Sequence, residues 1–284
     1  MEFIPQVVVN GISLSLSYVL VALGLTLVYG LMAILNFAHG AVYMVAAYVL
    51  YTCIRLLGLN YPFSVFISIL ATGGLGLLIE RIVIRPVRTI PLSPFLACMG
   101  AAMILEHAAL LVFGPLEKSI DRPFKGVMTW LGMSVSVERV MVILVASLAA
   151  LGFYLFLTKA KQGQAMRAVG QNAEAAALHG IKPLRMFALS MFFGSALAAV
   201  GAVLMAPISS ISPNMGFTPM FKGFIIIILG GVGSIPGCFA AAFIVGFIDS
   251  LGATFLGWEV ASIIGFVLLM IMLIVRPRGL VPGV

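Results

Sequence analysis

The sequence predicts an all-α fold, a polytopic bundle of eight or nine transmembrane helices in a single domain, 1–284. Of the 284 residues, 62% are hydrophobic and 9% are charged, whereas charged residues make up about a quarter of a typical soluble domain. Charge-free segments also recur along the chain, and most reach the roughly 20 residues that cross a bilayer. They are 3–54, 56–79, 89–105, 140–158, 186–221 and 223–248. A water-soluble globular protein is therefore excluded.

Nine spans follow from these segments when charge, Pro and Gly are taken as boundaries. They are 6–29, 38–57, 61–84, 94–113, 137–157, 186–205, 221–235, 239–256 and 260–275. The first segment is too long for one crossing and divides at 36–40, near the predicted inner face. The span 221–235 is short and runs into a glycine-rich stretch, so it either crosses, giving nine spans, or re-enters, giving eight. We favour a crossing, because it places three basic groups on one side.

The basic residues predict that the N-terminus lies outside. Ten of them flank spans on the predicted inner side: Arg81, Arg85, Arg88, Lys159, Lys161, Arg167, Lys182, Arg185, Arg276 and Arg278. Six lie on the predicted outer side: Arg55, Lys118, Arg122, Lys125, Arg139 and Lys222. The formal net charge of +7 is thus assigned to membrane orientation and not to nucleic-acid binding.

Small residues predict how the spans pack. Glycine occurs 30 times, and small residues cluster within spans, as at 73–76 and 194–202. Such faces let helix backbones approach closely in lipid. The three cysteines, Cys53, Cys98 and Cys238, lie in apolar runs without paired spacing, so we interpret them as small hydrophobic residues and expect no metal site.

Few residues could carry chemistry. A phosphate-binding loop, a zinc-protease motif and a nucleophile elbow are all missing from the sequence, so we expect no enzymatic activity and no catalytic residues. Glu106 with His107, and Asp249, are ionisable groups that lie away from the ends of predicted spans. A charge at mid-membrane costs about 2.5 to 3.5 kcal/mol on insertion scales. These groups therefore either hydrogen-bond between helices or form a proton relay.

Two breaks in the helical pattern are candidates for a translocation pathway. At the first break, Asn36 and His39 either line a conduit or form a simple turn. The second break contains Gly230, Gly231 and Gly233, and it is either a helix stop followed by a turn or a gate. Paired interruptions of this kind mark the pathway in many transporters.

The longest inner loop, 158–185, predicts a helix, a loop and a second helix outside the membrane. Its alanines and glutamate favour helix, Asn172 can cap the second helix, and Gly180 can end it. One alternative is a membrane-surface element, since the flanking basic residues would suit anionic lipid.

At this loop the sequence resembles a known family. Glu174-Ala175-Ala176-x-x-x-Gly180 is similar to the coupling-loop signature of bacterial ABC importer permeases, although Ile181-Lys182-Pro183 replaces the Ile-x-Leu-Pro ending of that signature. Further motifs resemble the H-type membrane subunit of branched-chain amino acid importers, and the likeness covers nearly the whole chain. These motifs are 10–11, 22–30, 36–40 and 228–234.

The resemblance implies a permease subunit of an ATP-driven importer in a bacterial inner membrane. Its implied partners are a second, homologous permease, two cytoplasmic ATPases that carry ATP and Mg, a periplasmic solute-binding protein and membrane lipid. The residues implied in ATPase coupling are Arg167, Asn172, Glu174, Ala175, Ala176 and Gly180. Branched-chain amino acids are the first expected solute, with urea or short amides as the alternative. The rival hypothesis is an ion-coupled secondary transporter that uses Glu106 and Asp249.

Overall fold

The computed structural model describes residues 3–124, 126–130, 133–276 and 279–281, and it is a bundle of eleven α-helices within that part of the chain. The helices are α1 Phe3–Met32, α2 Ala38–Tyr51, α3 Tyr61–Leu78, α4 Ser93–Phe113, α5 Val137–Lys159, α6 Lys161–Gln171, α7 Ala173–Leu178, α8 Pro183–Met205, α9 Phe217–Gly230, α10 Ile235–Phe255 and α11 Trp258–Val275. The predicted helical bundle is thereby confirmed. Lys125 and Arg278, which the charge argument used, lie outside the described residues.

Tighter or wider turns and one hairpin complete the secondary structure. π-Helical turns extend α2 over Thr52–Leu56 and α3 over Ile79–Ile84, and a 3₁₀ turn follows at Arg85–Val87. Strands β1, Val127–Trp130, and β2, Met133–Ser136, form an antiparallel hairpin. The all-α prediction missed this hairpin because it lies in the outer loop between α4 and α5, where each strand has only four residues.

Fewer helices are long enough to cross a membrane than the eight or nine spans that the sequence predicts. Seven helices within the described residues are long and apolar enough to cross a membrane, and two further apolar helices, Phe217–Gly230 and Val260–Val275, are shorter. The 14 residues of α9 extend only about 21 Å at 1.5 Å per residue, less than the ~30 Å hydrocarbon core. The segment expected as the seventh span is therefore helical over only part of its path.

The connection from α8 to α9 makes up the missing length. The backbones of Ile211 and Lys118 pair at 2.8 Å in both directions, and Lys118 follows the outer end of α4. From there the chain descends to Gly216, which contacts Gly40 near the start of α2. Irregular backbone within a membrane is tolerated where it is buried in protein or lines a water-filled cavity. Ile211 and Gly216, at the two ends of this connection, are buried, and Asn214 between them lines a cavity. The geometry therefore supports a crossing and not a re-entrant hairpin.

Helix α1 is the centre of the bundle. It packs against α5, α8, α9 and α10, and Val19, Leu20 and Ala22 in its middle are completely buried. Its apolar residues are spread around the whole circumference, which is the pattern of a helix enclosed by other helices. Helices α4 and α11 lie at the periphery and expose many large apolar side chains, including Ile104, Leu111 and Ile274.

Glycine allows the central helices to touch through their backbones. A Cβ atom built on Gly24 of α1 would lie 2.6 Å from the carbonyl oxygen of Gly194 in α8, and one on Gly194 would lie 2.9 Å from the carbonyl oxygen of Gly24. No side chain separates the two helices at this level. The predicted packing through small residues is observed here and where Gly76 meets Ser195.

We expect Gly24→Ala to destabilise the folded protein by about 1 to 3 kcal/mol, the usual cost of overpacking. The added methyl group would meet a backbone carbonyl, which cannot move without shifting a helix. Gly74→Ala in α3 is the matched control, because a Cβ there meets nothing within 4 Å; we expect it to be neutral or to stabilise by up to ~1 kcal/mol. Thermal unfolding of the detergent-solubilised variants measures both effects. Equal midpoints for the two variants would contradict the close approach of α1 and α8.

Candidate functional site

The segment between α5 and α8 folds as the predicted helix, loop and helix. Helix α6 buries Gly163, Met166 and Val169, which recur every three residues and so share one face. Gly163 contacts the backbone of Phe156 and Leu157 at the end of α5 so closely that a Cβ atom would not fit. Helix α6 also packs against α1 and α8, so a force on it reaches three membrane helices directly.

Both ends of α7 have side-chain or glycine caps. The Oδ1 atom of Asn172 accepts hydrogen bonds from the backbone N–H of Glu174 at 3.0 Å and of Ala175 at 2.9 Å. At the other end Gly180 has φ +80°; its N–H donates to Ala177, and the N–H of Ile181 donates to Ala176. This pair of bonds is a Schellman cap, which needs a left-handed residue at the glycine position. The predicted roles of Asn172 and Gly180 in the secondary structure are confirmed.

Helix α7 presents most of its surface to solvent. Ala176 is its buried residue, whereas Glu174, Ala175 and Gly180 are exposed. Leu178 is 89% exposed, and its spacing of three and four residues from Ala175 and Glu174 places it on the same face of the helix as those two residues. Sequence reasoning missed Leu178, although its position two residues after the inward-facing Ala176 could have placed it on the opposite face.

A cavity of about 480 Å³ lies between α6 and the inner ends of the membrane helices. Arg167 of α6 lines it together with Gly30 at the end of α1 and Gly233 of the glycine-rich break. The second break therefore lies at the same end of the bundle as α6 and α7. Arg167 itself is exposed.

The glycine-rich break is a turn between α9 and α10. Gly231 and Gly233 have φ values of +103° and +79°, which other residues rarely adopt. Gly230 ends α9 and contacts Gly237 in the first turn of α10 too closely for a Cβ atom. The C-terminal segment closes this region, since the N–H of Val281 donates to the Gly230 carbonyl at 3.1 Å. Of the two predicted alternatives, a helix stop followed by a turn or a gate, the structure has the helix stop and the turn.

The first break lies within the bundle and not at the inner face where the span layout placed it. His39 is 1% exposed, and its Cε1 atom lies 3.0 Å from a Cβ built on Gly24, a residue about 12 Å before the end of α1. Asn36 is also buried, and its Oδ1 accepts from the backbone N–H of Ala38 at 3.1 Å. The layout was wrong because α1 ends at Met32 and the connection then turns back into the bundle before α2 begins.

Asp249 belongs to a buried ionic cluster that joins three helices. Lys222 of α9 donates to its Oδ1 at 2.6 Å, and the Tyr18 hydroxyl of α1 donates to its Oδ2 at 2.8 Å. Lys222 and Asp249 are 3% and 1% exposed, so assigning Lys222 to the outer surface was wrong. The sequence does contain a signal for this ion pair, because a lysine lies at the edge of one apolar span and an aspartate lies in the next span.

Glu106 and His107 lie elsewhere, on the peripheral helix α4. They line a cavity of about 370 Å³ with Glu117 and Asn214, and the His107 Nδ1 atom is 2.8 Å from the carbonyl oxygen of Met103. Glu106 is thus separated from the Asp249 cluster. Among the described residues no group of three or more His, Cys, Asp or Glu could hold a metal ion.

Comparisons with known proteins agree with the sequence resemblance. Residues 7–275 match the family model described as "Branched-chain amino acid transport system / permease component". The chain is 33% identical to the high-affinity branched-chain amino acid transport system permease protein BraD of Pseudomonas aeruginosa, over 97% of this chain and 94% of that protein. It is 31% identical to the LivH protein of the same description from Escherichia coli, with the same coverage.

An archaeal relative extends the comparison. The probable branched-chain amino acid transport permease protein LivH of Methanocaldococcus jannaschii is 28% identical, over 92% of this chain and 87% of that protein. No solved structure matches the chain significantly. The family model covers all seven helices that can cross a membrane, from α1 to α10. The chain therefore belongs to the family of branched-chain amino acid transport system permease components.

Proposed function

We propose that this chain is the membrane-spanning permease subunit of an ABC importer, and that it carries leucine, isoleucine and valine from a periplasmic binding protein into the cell. The capped and exposed helix α7 supports this proposal most directly. Its exposed residues Glu174, Ala175 and Gly180 belong to the segment that resembles the coupling-loop signature, and Leu178 beside them is 89% exposed. The relatives named as branched-chain amino acid permeases supply the expected solute.

The proposed assembly has two permeases and two ATPases. A second, homologous permease completes the membrane part, and two cytoplasmic ATPases bind ATP and Mg and contact α7 on each permease. Arg167, Glu174 and Ala175 are exposed on the α6–α7 segment and would contribute to that contact. No cofactor and no enzymatic activity are assigned to the permease chain.

Helix packing provides a route from the ATPases to the membrane helices. Gly163 holds α6 directly against the backbone at the end of α5, and α6 also packs against α1 and α8. Closure of the ATPases on ATP would displace α7 and α6 together and shift these helices. ATP must then bind one arrangement of the assembly more tightly than the other, which is the condition for any such population shift.

The ionic cluster argues against the rival ion-coupled transporter. Asp249 accepts hydrogen bonds from both Lys222 and Tyr18, so within the protein it has the interhelical partners that the hydrogen-bonding alternative expects. Glu106 lines a cavity on the peripheral helix α4 that Asp249 does not line, so the two carboxylates share no cavity through which a relay could run. A driving force from ATP fits this arrangement better than one from an ion gradient.

Reconstitution in lipid vesicles tests the function. We expect uptake of radiolabelled leucine only when this chain is combined with its second permease, the ATPases, the binding protein and ATP. The matched control replaces the phosphate-loop lysine of the ATPases and should abolish uptake. Leucine uptake by this chain alone, driven by an ion gradient, would refute the proposal. Uptake of urea in place of leucine would support the importer function but would show that branched-chain amino acids are not the solute.

A further inference from the structure

The cavity of about 480 Å³ between α6 and the inner ends of the membrane helices reaches well into the membrane. Its lining includes Arg167 and Gln171 of α6 and extends to Leu23 of α1. Leu23 lies nine residues before Met32, where α1 ends, and this is a distance of about 14 Å at 1.5 Å per residue. The cavity is therefore nearly as deep as the roughly 15 Å of hydrocarbon in one leaflet of a bilayer.

The walls of the cavity within the membrane are mainly large apolar side chains. They come from three different helices and are Leu23, Leu27, Phe153, Leu157 and Ile235. The first four are buried, so they form a floor shared by α1 and α5. Such walls accept a hydrocarbon chain, whereas a polar group placed against them would lose its hydrogen bonds to water.

Two tyrosines place the mouth of the cavity at the inner surface of the membrane. Tyr29 and Tyr154 both line it, and tyrosine is enriched at the interface between lipid and water. Tyr154 is exposed, and so is Leu151, which lies three residues earlier and therefore on the same side of α5. An exposed leucine on a membrane helix faces lipid, so the cavity opens sideways toward the inner leaflet.

Arg167 is the only charged residue among the described residues that line the cavity. Its side chain is exposed and forms no ion pair with a described residue. A guanidinium group can donate two parallel hydrogen bonds to a phosphate, and Gln171, one turn further along α6, carries an amide that can donate another. A basic pocket between membrane helices on the cytoplasmic side is the kind of site that binds the headgroup of an anionic lipid.

We propose that this cavity binds one anionic phospholipid of the inner leaflet. Arg167 and Gln171 hold the phosphate, and one acyl chain lies along Leu23, Leu27 and Phe153. The inference goes beyond the importer function, because it assigns a lipid ligand to the permease chain itself. A lipid in this position contacts α1, α5 and α6 together, and these helices also form the proposed route from the ATPases into the membrane.

Competition between two lipids tests the charge of the site. The full chain is purified in detergent without the ATPases, because Arg167 is also proposed to contact them. It is then incubated with equal amounts of phosphatidylglycerol, which is anionic, and phosphatidylethanolamine, which is zwitterionic, and native mass spectrometry counts the lipids of each class that stay bound. We expect one retained phosphatidylglycerol, preferred about fivefold, which is the effect of one basic residue on an anionic lipid. Equal retention of the two lipids would overturn the site.

A pair of charge variants locates the preference in the cavity. Arg167→Gln should reduce the preference for phosphatidylglycerol to about one, and it changes an exposed side chain, so it carries little risk to folding. Lys161→Gln is the matched control, because Lys161 is exposed on the same helix but does not line the cavity; this variant should keep the fivefold preference. An equal loss in both variants would show that the general surface charge of α6 selects the lipid, and it would overturn the site.

A second pair of variants tests the space for the acyl chain. Gly30 lines the cavity, and a Cβ atom built on it would lie 3.9 Å from the Cα atom of Gly233, an ordinary contact. Gly30→Leu places its side chain in the space of the lipid, so we expect retention of both lipids to fall several-fold. Gly152→Leu is the control, because Gly152 is exposed on α5, lies outside the cavity lining and has nothing within 4 Å of a Cβ atom. Equal lipid retention in the two variants would contradict the proposal.

The headgroup alone distinguishes a lipid from a free anion. Glycerol phosphate carries the phosphate without acyl chains, so at the concentration of the lipid it should displace no phosphatidylglycerol. Displacement would show a site for soluble phosphates and would overturn the lipid assignment. These measurements need no transport, so they are separate from the proposed function. Failure of the complete assembly to import leucine would refute the importer alone, and loss of the lipid preference would refute the lipid site alone.

Discussion

Combining Gly180→Pro with Glu174→Lys is expected to abolish ATP-dependent leucine uptake and the co-purification of the ATPases. Proline fixes φ near −65°, whereas Gly180 has φ +80°, and proline also removes the N–H that donates to Ala177 at 3.0 Å. The Schellman cap of α7 cannot form in that variant. Lysine at position 174 further opposes the positive end of the α7 dipole. Uptake assays and affinity purification of the complex measure the two losses.

A conservative change at the same position is the matched control. Asparagine adopts the left-handed conformation far more readily than other non-glycine residues, and a Cβ atom at position 180 would meet nothing within 4 Å. Since only the Cβ position is known to be open, the left-handed preference of asparagine carries the expectation that Gly180→Asn retains ATPase binding and most of the uptake. Normal uptake together with normal co-purification in the double variant would show that α7 does not couple the ATPases.

The second large effect is expected at the buried ionic cluster. Asp249→Leu leaves the Lys222 ammonium buried without its carboxylate, and breaking a buried pair in this way typically costs 3–5 kcal/mol. We expect a strong fall in the yield and thermal unfolding midpoint of the detergent-solubilised protein. Lys222→Met combined with Asp249→Leu should recover most of the loss, because an apolar pair of similar volume often replaces a buried ion pair without cost.

An exposed ion pair is the control for this experiment. Arg55 and Asp121 pair at 3.1 Å with side chains 42% and 76% exposed, and exposed pairs contribute about 0 to 1 kcal/mol. Asp121→Asn should therefore leave the midpoint nearly unchanged. If the Lys222→Met, Asp249→Leu variant folds and imports leucine, the cluster positions α9 and does not couple ions. A folded double variant that loses all uptake while Asp249→Leu alone retains it would contradict the positioning role.

The helix ends and the span boundaries were predicted correctly because they depend on residues that are close together in the sequence. Asn172 caps the helix that starts beside it, and Gly180 ends the same helix, because both effects depend on hydrogen bonds within three or four residues. Most long spans were also predicted within a few residues, since a bilayer selects about 20 apolar residues whatever the neighbouring helices do. Family membership followed from motifs that stand in order along the chain.

The tertiary structure alone decided which distant residues meet. Lys222 and Asp249 are 27 residues apart and Tyr18 is 231 residues from Asp249, so no local pattern pairs them. The depth of His39 depends on how α2 returns beside α1, and the partial helix α9 depends on the irregular path from Ile211 to Gly216. The cavity of about 480 Å³ exists because α6 and the inner ends of the membrane helices leave space between them. Apolar sequence by itself determined that this protein is a helical membrane bundle, because helices satisfy their backbone hydrogen bonds internally in lipid. Packing between the helices decided where the charges, breaks and cavities lie, because contacts between side chains and between glycine backbones distinguish one arrangement of helices from another.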